Sequence, residues 1–175
     1  LTLHELIRKE RDKIKYAVEI GSYVGASSCY IAAALTENAK LICIDTWGNQ
    51  NMKYVENDTD ADERDTYSEF QRNIGRYRRK IIEVRKWSTE AVKDIESITN
   101  EIGFFFIDGD HNYEGVKQDW NLYRHLLKEG SMVAFHDTGW AEGVKKVIAE
   151  EVLPIAVLVE RLPNLEVYRL QKNLH

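Results

Sequence analysis

Apolar residues in this chain follow two alternating rhythms. Short unbroken or alternating runs read as strands: Tyr16-Ala17-Val18-Glu19-Ile20, Lys40-Leu41-Ile42-Cys43-Ile44-Asp45, Ile81-Ile82-Glu83-Val84-Arg85-Lys86-Trp87, Phe104-Phe105-Phe106-Ile107 and Ser131-Met132-Val133-Ala134-Phe135. Between them, apolar residues recur at three- and four-residue spacing, the period of an amphipathic helix. Leu3, Leu6, Ile7 and Ile14 predict a lead-in helix over the first dozen residues, covering the sheet or simply packing on it. Tyr30 to Leu35 predicts the body of a second, with Ser27 or Ser28 in its first turn, and Tyr67, Phe70, Ile74 and Tyr77 a third. Ser88 is expected to cap a fourth. A fifth spans Tyr113 to Leu127, with Val116, Trp120, Tyr123 and Leu127 as its buried stripe and Gly130 as its stop signal. A sixth runs from Glu142 to Val152 and is stopped by Pro154. Ile155 to Val159 and Leu165 to Leu170, joined through Leu162-Pro163-Asn164, predict a closing antiparallel hairpin.

Strands alternating with helices and ending in a hairpin predict an α/β, doubly wound, mostly parallel sheet in a single domain over residues 1–175. Such sheets bind ligands at the C-terminal ends of their strands, and there the chain changes character. Phe104 to Ile107 suits a strand buried on both faces; it runs straight into Asp108-Gly109-Asp110-His111. An Asp-Gly turn accounts for the first two residues, but not for the acid and imidazole that follow. The strand ending at Ile20 leads into Gly21-Ser22-Tyr23-Val24-Gly25-Ala26-Ser27. Gly21 permits a tight turn, and Gly25 lets a ligand approach the helix N-terminus closely. Tyr23 stands where the dinucleotide fingerprint needs its second glycine, leaving little room for a pyrophosphate. A glycine-containing turn with no ligand remains an alternative. Asp45 ends its strand about 20 residues beyond this loop, the spacing at which such folds hold ribose hydroxyls. Thr46 and Trp47 follow and are candidates to flank an adenine, with core or lid as the other reading of Trp47. The fifth strand also ends on ligand-type side chains, His136 and Asp137.

Composition narrows the choice of partner. The 175 residues are 43% hydrophobic and 30% charged, with a net charge of −5, so no basic field favours nucleic acid or an anionic membrane. No stretch of about 18 apolar residues and no signal-peptide pattern is present, and a cytoplasmic protein is expected. Cys29 and Cys43 both lie within predicted apolar elements and read as small hydrophobes. Residues 48–65 are acidic and aperiodic, and a connection this long in a compact domain is expected to be a substrate-facing lid. Arg76, Arg78, Arg79 and Lys80 are expected to complement the dipole of the preceding helix.

Glu19-Ile20-Gly21-x-x-x-Gly25-x-Ser27, Asp45, Asp108-Gly109-Asp110-His111-x-Tyr113-Glu114-Gly115-Val116 and Phe135-His136-Asp137-Thr138 stand in register along the chain. Together they resemble class I S-adenosylmethionine-dependent methyltransferases. Within that class the chain is similar to the cephalosporin-hydroxylase-like and macrolide-sugar O-methyltransferases, and more distantly to the catechol O-methyltransferases. The likeness runs from about Lys15 to the C-terminal hairpin and rests most on the Asp-Gly-Asp-His-x-Tyr-Glu-Gly-Val run. It implies a Rossmann-like methyltransferase fold with seven strands, the last antiparallel. It also implies that Glu19 and the loop from Gly21 through Ser22 and Gly25 to Ser27 hold the methionine end of the cofactor, and that Asp45 holds the ribose. Thr46, Trp47, Ser88 and Asp108 would complete the cofactor site. Asp108, His136 and Asp137 occupy the positions at which metal-dependent relatives bind a divalent cation, Mg²⁺ or Mn²⁺. His136 departs from the usual acid there, and imidazole suits Mn²⁺, Fe, Zn or Ni better than Mg²⁺.

The implied chemistry is methyl transfer to a hydroxyl. That hydroxyl needs a base: His111 is the first candidate and Asp110 the second. His111 is alternatively a residue that orients Asp108, and His136 one that only borders the site. The expected acceptor is a small molecule, a glycosyl hydroxyl first, with neither nucleic acid nor membrane as partner; self-association is left open. Rival readings are a metal-free N-methyltransferase on the same cofactor and an S-adenosylmethionine-binding module without turnover. A nucleic-acid methyltransferase is disfavoured because Asp108-Gly109-Asp110-His111 stands where such enzymes resemble Asn/Asp-Pro-Pro-aromatic. A nicotinamide dehydrogenase is disfavoured by Tyr23 and by the lack of a Tyr-x-x-x-Lys pair.

Overall fold

The computed structural model describes residues 1–49 and 64–172. The lid expected at residues 48–65 therefore falls almost wholly outside the described residues. Seven strands form one sheet in the order β3-β2-β1-β4-β5-β7-β6: β1 Tyr16–Ile20, β2 Lys40–Asp45, β3 Ile81–Arg85, β4 Ile102–Ile107, β5 Leu127–His136, β6 Ala156–Leu162 and β7 Leu165–Leu170. The first five pair in parallel, and β7 runs antiparallel between β5 and β6. This is the doubly wound, Rossmann-like sheet with a C-terminal hairpin that the hydrophobic pattern and the resemblance imply.

Because successive strand residues face opposite sides, β4 feeds two cores. Phe105 and Ile107 pack with Val116, Trp120 and Tyr123 on one face. Phe104 and Phe106 pack with Ile7, Ile31 and Phe70 on the other. A strand buried on both faces cannot alternate apolar with polar, which explains the unbroken Phe-Phe-Phe-Ile run. The helices covering these faces are α1 Leu3–Glu10, α2 Ala26–Ala34, α3 Thr66–Asn73, α4 Ser88–Ile98, α5 Tyr113–Tyr123 and α6 Glu142–Val147, the last continuing as a π-helical turn over Ile148–Val152. Thr2 and Glu5 form a capping box that starts α1.

Three local expectations are corrected. The helix expected to reach Leu127 ends at Tyr123, and Leu127 already belongs to β5. Gly130, with φ +87°, sits inside that strand span, where the register against β4 shifts, and does not stop a helix. Lys80 caps a different helix from the one expected: its buried Nζ donates to Ala32 O at 3.3 Å and Leu35 O at 2.9 Å, the free carbonyls at the end of α2. The cysteines are free, Cys43 buried and Cys29 partly so. Among the described residues no helix is long and apolar enough to cross a membrane.

Strand order reverses direction between β1 and β4, and the register across that point is tight. Ile44, Ile20, Ile107 and Phe135 are paired in one row across β2, β1, β4 and β5. The next residue on each strand is therefore Asp45, Gly21, Asp108 and His136, side by side on one edge. Gly21 has φ +85°, and a Cβ there would lie 2.1 Å from Asp108 O. Gly21→Ala is expected to combine backbone strain with a backbone clash and to cost at least about 2 kcal/mol of stability, read as a lowered urea midpoint. A midpoint equal to that of the unaltered protein would mean that the β1 and β4 ends are not in this contact.

Candidate active site

The row of strand ends opens onto two joined chambers. The larger, about 600 Å³, runs from Asp45, Thr46, Ser88 and Asp119 to His111, Asp137 and Trp140. The smaller, about 450 Å³, is bounded by Leu3, Ser22, Ser27 and Tyr30, with the N-terminus of α2 at its wall. Gly21, Tyr23, Asp108 and His136 line both.

At the first end, Asp45 holds the loops in place. Its Oδ2 accepts from Tyr23 N at 2.8 Å and its Oδ1 from Trp47 N at 2.7 Å. Tyr23 (φ 45°) and Trp47 (φ 49°) both occupy the left-handed region that side chains disfavour. Holding each there costs on the order of 1–3 kcal/mol, so one carboxylate secures two strained residues. Trp47 is 5% exposed, stacks on Tyr67 and Phe70 and donates its indole N–H to Tyr23 O. It is a core residue and lines neither chamber, the alternative that the sequence left open. Thr46 does line the larger one.

Glu19 is 0% exposed and lies beneath the glycine loop, outside both chambers. Its Oε2 accepts from the Ser22 hydroxyl at 2.7 Å and from the Ser28 hydroxyl. Burial pushes its pKa up, opposed by the serine hydroxyls. The expected cofactor ligand thus shapes the loop that would hold the cofactor. Ser88 is the first residue of α4, not its cap; Trp87 takes the cap position without a side-chain hydrogen bond. Ser88 lies close enough to Asp119 to lower its pKa, against the effect of burial.

At the other end, Asp108, His136 and Asp137 converge, with ligand atoms all within 4.8 Å of one another. His136 Nδ1 lies 3.0 Å from Asp108 Oδ1 and 3.1 Å from Asp137 Oδ1, and His111 Nδ1 lies 2.9 Å from Asp137 Oδ2. None of these contacts has the direction of a hydrogen bond, so among the described residues both buried Nδ1 atoms are without a hydrogen-bond partner. The Asp108 carboxylate raises His136 to about 9, against the effect of its burial. Burial raises Asp108, outweighing the pull of His136. Burial would raise Asp137 too, but Asn164, His136 and Trp140 together leave it lowered. Asp137 is the third strained residue here, with φ 60°. Its Oδ1 is clamped by Asn164 Nδ2 at 2.9 Å and Trp140 Nε1 at 3.0 Å.

Asp110, the second candidate base, is turned back into its own turn. Its Oδ1 accepts from His111 N, Asn112 N and Asn112 Nδ2 at 2.7, 3.0 and 2.6 Å. His111 stands beside the triad, its ring against Asp137 and Trp140.

Sequence reasoning missed Asp119, Asn164 and Trp140. Asp119 carried a signal, an acid on the buried stripe of a helix between Val116 and Trp120. It is 4% exposed and lines the larger chamber. The other two carried none, because the loop after β5 and the tip of the β6–β7 hairpin meet only in space.

A doubly wound sheet with a ribose-spaced acid, an open strand-to-helix loop and a carboxylate–imidazole cluster at its switch point defines a class I methyltransferase architecture. The comparison with known sequences agrees: residues 18–138 match the profile of a methyltransferase domain family, and the chain belongs to that family. An uncharacterized protein of Sinorhizobium fredii is 30% identical over 125 residues, 69% of this chain. The chain spans only 13% of that relative's length. Among solved structures, an O-methyltransferase from Bacillus cereus in complex with SAH superposes with a TM-score of 0.68 at 14% identity, covering 95% of this chain and 78% of that one. The apo form of a TDP-rhamnose 3'-O-methyltransferase of calicheamicin biosynthesis gives 0.65 at 20% identity, covering 94% and 75%. At these identities the likeness concerns the fold.

Burial, opposed by Ser88 and reinforced by Asp110, pushes Asp119 from 3.8 up to about 6. The folded chain then keeps a proton that the unfolded chain has released, so stability falls as pH rises from about 4 to about 6, by at most roughly 3 kcal/mol. Asp119→Asn is expected to remove that share of the slope in urea midpoints measured across the window. An unaltered slope would show that Asp119 is not buried as described.

Proposed function

We propose that this domain transfers a methyl group from S-adenosylmethionine to a hydroxyl of a sugar or another small molecule, with a divalent cation held by Asp108, His136 and Asp137. The observation that carries this reading is that two members of the triad, Asp108 and His136, lie on the wall shared by the two chambers, with Asp137 beside them in the larger. A nucleoside in the larger chamber and an amino acid in the smaller would bring the sulfonium between them to that wall. The amide end of α2, with Ser22 and Ser27, suits the methionine carboxylate. Asp45 spends one lone pair of each oxygen on the backbone and keeps others for ribose hydroxyls. Ser88 and Asp119 sit at the adenine end.

The donor set fits a cation: one imidazole and two carboxylates converge, and a buried ring nitrogen lacks a hydrogen-bond partner. When bound there, a divalent cation lowers the pKa of the acceptor hydroxyl and orients it. His111 receives the proton. Its Nδ1 side faces Asp137 Oδ2 at 2.9 Å, so Nε2 is the atom assigned to take the proton. Fixing acceptor and sulfonium in line contributes further, on the order of 7–11 kcal/mol in favourable cases.

Calorimetric titration with S-adenosylhomocysteine, with and without Mg²⁺ or Mn²⁺, tests the reading directly. Asp45→Ala is expected to weaken that binding by about tenfold or more, since its loss also frees two strained loops. His136→Ala and Asp137→Ala are expected to abolish Mn²⁺ binding and metal-stimulated methyl transfer while S-adenosylhomocysteine still binds. Full transfer in the presence of a chelator would remove the cation from the mechanism. His111→Ala is expected to slow transfer by about 10²- to 10⁴-fold with cofactor affinity retained; wild-type turnover would reassign the base.

A further inference from the structure

Trp140 is 59% exposed, yet its polar edge is committed: the indole N–H donates to Asp137 Oδ1 at 3.0 Å. A tryptophan bonded inward and bare on its face is well suited to receive something flat. The ring is also held in place before any ligand arrives. Trp140 N donates to Asp137 O at 3.2 Å, Gly139 N donates to Asn164 Oδ1 at 3.1 Å, and the His111 ring lies 5.0 Å away at a 59° tilt. Such preorganisation spares a ligand the cost of ordering the loop.

We propose that Trp140 is the stacking floor for the ring that carries the acceptor hydroxyl, and that this ring is a pyranose. The inference rests on the methyl-transfer reading of the same site. Trp140 lines the larger chamber beside the triad, with its indole N–H on Asp137 and its ring against His111. The chamber-lining residues linked to it, His111 and Asp137 and through Asp137 also His136, are hydrogen-bonding groups. One flat apolar face among polar walls matches a ring with a C–H face and a hydroxylated rim. A phenol would call for a second apolar wall. The link to Asp137 also ties the floor to the cation site, so ring height and hydroxyl position are set together.

Saturation-transfer NMR on the full chain loaded with S-adenosylhomocysteine and Mg²⁺, using methyl rhamnopyranoside and phenol as probes, tests the assignment. Saturation of the pyranoside ring protons is expected in the unaltered protein and in Trp140→Phe, which keeps the face and loses the N–H. It is expected to be lost in Trp140→Ala, with S-adenosylhomocysteine affinity unchanged by calorimetry. If Trp140→Ala does not bind S-adenosylhomocysteine, Trp140→Leu is read in its place. Pyranoside saturation that survives loss of the indole, or transfer to phenol alone, overturns the proposal. So does a Trp140→Ala protein that elutes as a smaller species while keeping the pyranoside contact, since the ring would then be a subunit contact. If S-adenosylhomocysteine fails to bind the unaltered protein, the methyl-transfer reading itself fails. If it binds and neither probe is saturated, only the pyranose floor is lost.

Discussion

Everything at the site depends on the register of four parallel strands. Pairing Ile44, Ile20, Ile107 and Phe135 in one row puts Asp45, Gly21, Asp108 and His136 on a common edge. A slip of one residue would turn each strand's side chains to the opposite face. Here both faces of β4 are buried in separate cores, so a slip would exchange the environments of three phenylalanines at once. The apolar interior thereby fixes the spacing of polar groups that have no part in it.

The strain in the described backbone follows the same edge. Of the four non-glycine residues with positive φ among those described, Tyr23, Trp47 and Asp137 are each held by a hydrogen bond that crosses between segments or closes a tight turn, and the fourth is Asn49. Carboxylates supply the acceptors for these three: Asp45 for the first two, and Asp137 for its own clamp. The C-terminal hairpin therefore does more than finish the sheet, because Asn164 at its tip steadies Asp137. One fold can carry many acceptors, so the architecture by itself does not discriminate among them.

Much of the fold was legible in the sequence because burial leaves a periodic record. The Phe-Phe-Phe-Ile run, the alternation of strands with helices and the hairpin pattern all follow from which faces meet the core. The row of candidate ligands was legible for a related reason: side chains at strand ends are local to the strands that position them. Helix ends were less so, since Leu127 fits a helical stripe and a strand equally well and only its pairing with Ile102 decides.

What the sequence determined by itself was the order of elements, the two buried faces and the identity of the acids and imidazoles at the C-terminal edge. Tertiary structure decided how each of them is engaged. Glu19 Oε2 is taken by serine hydroxyls while its buried Oε1 has no hydrogen-bond partner among the described residues. Asp110 Oδ1 is taken by its own turn and Trp47 by the core, whereas Asp119, Asn164 and Trp140 reach the chamber or its wall from segments that no local pattern connects. The reason is physical: periodicity reports the burial of apolar surface, which each segment encodes for itself. Hydrogen-bond partnership is settled only when distant segments are brought within about 3 Å of one another.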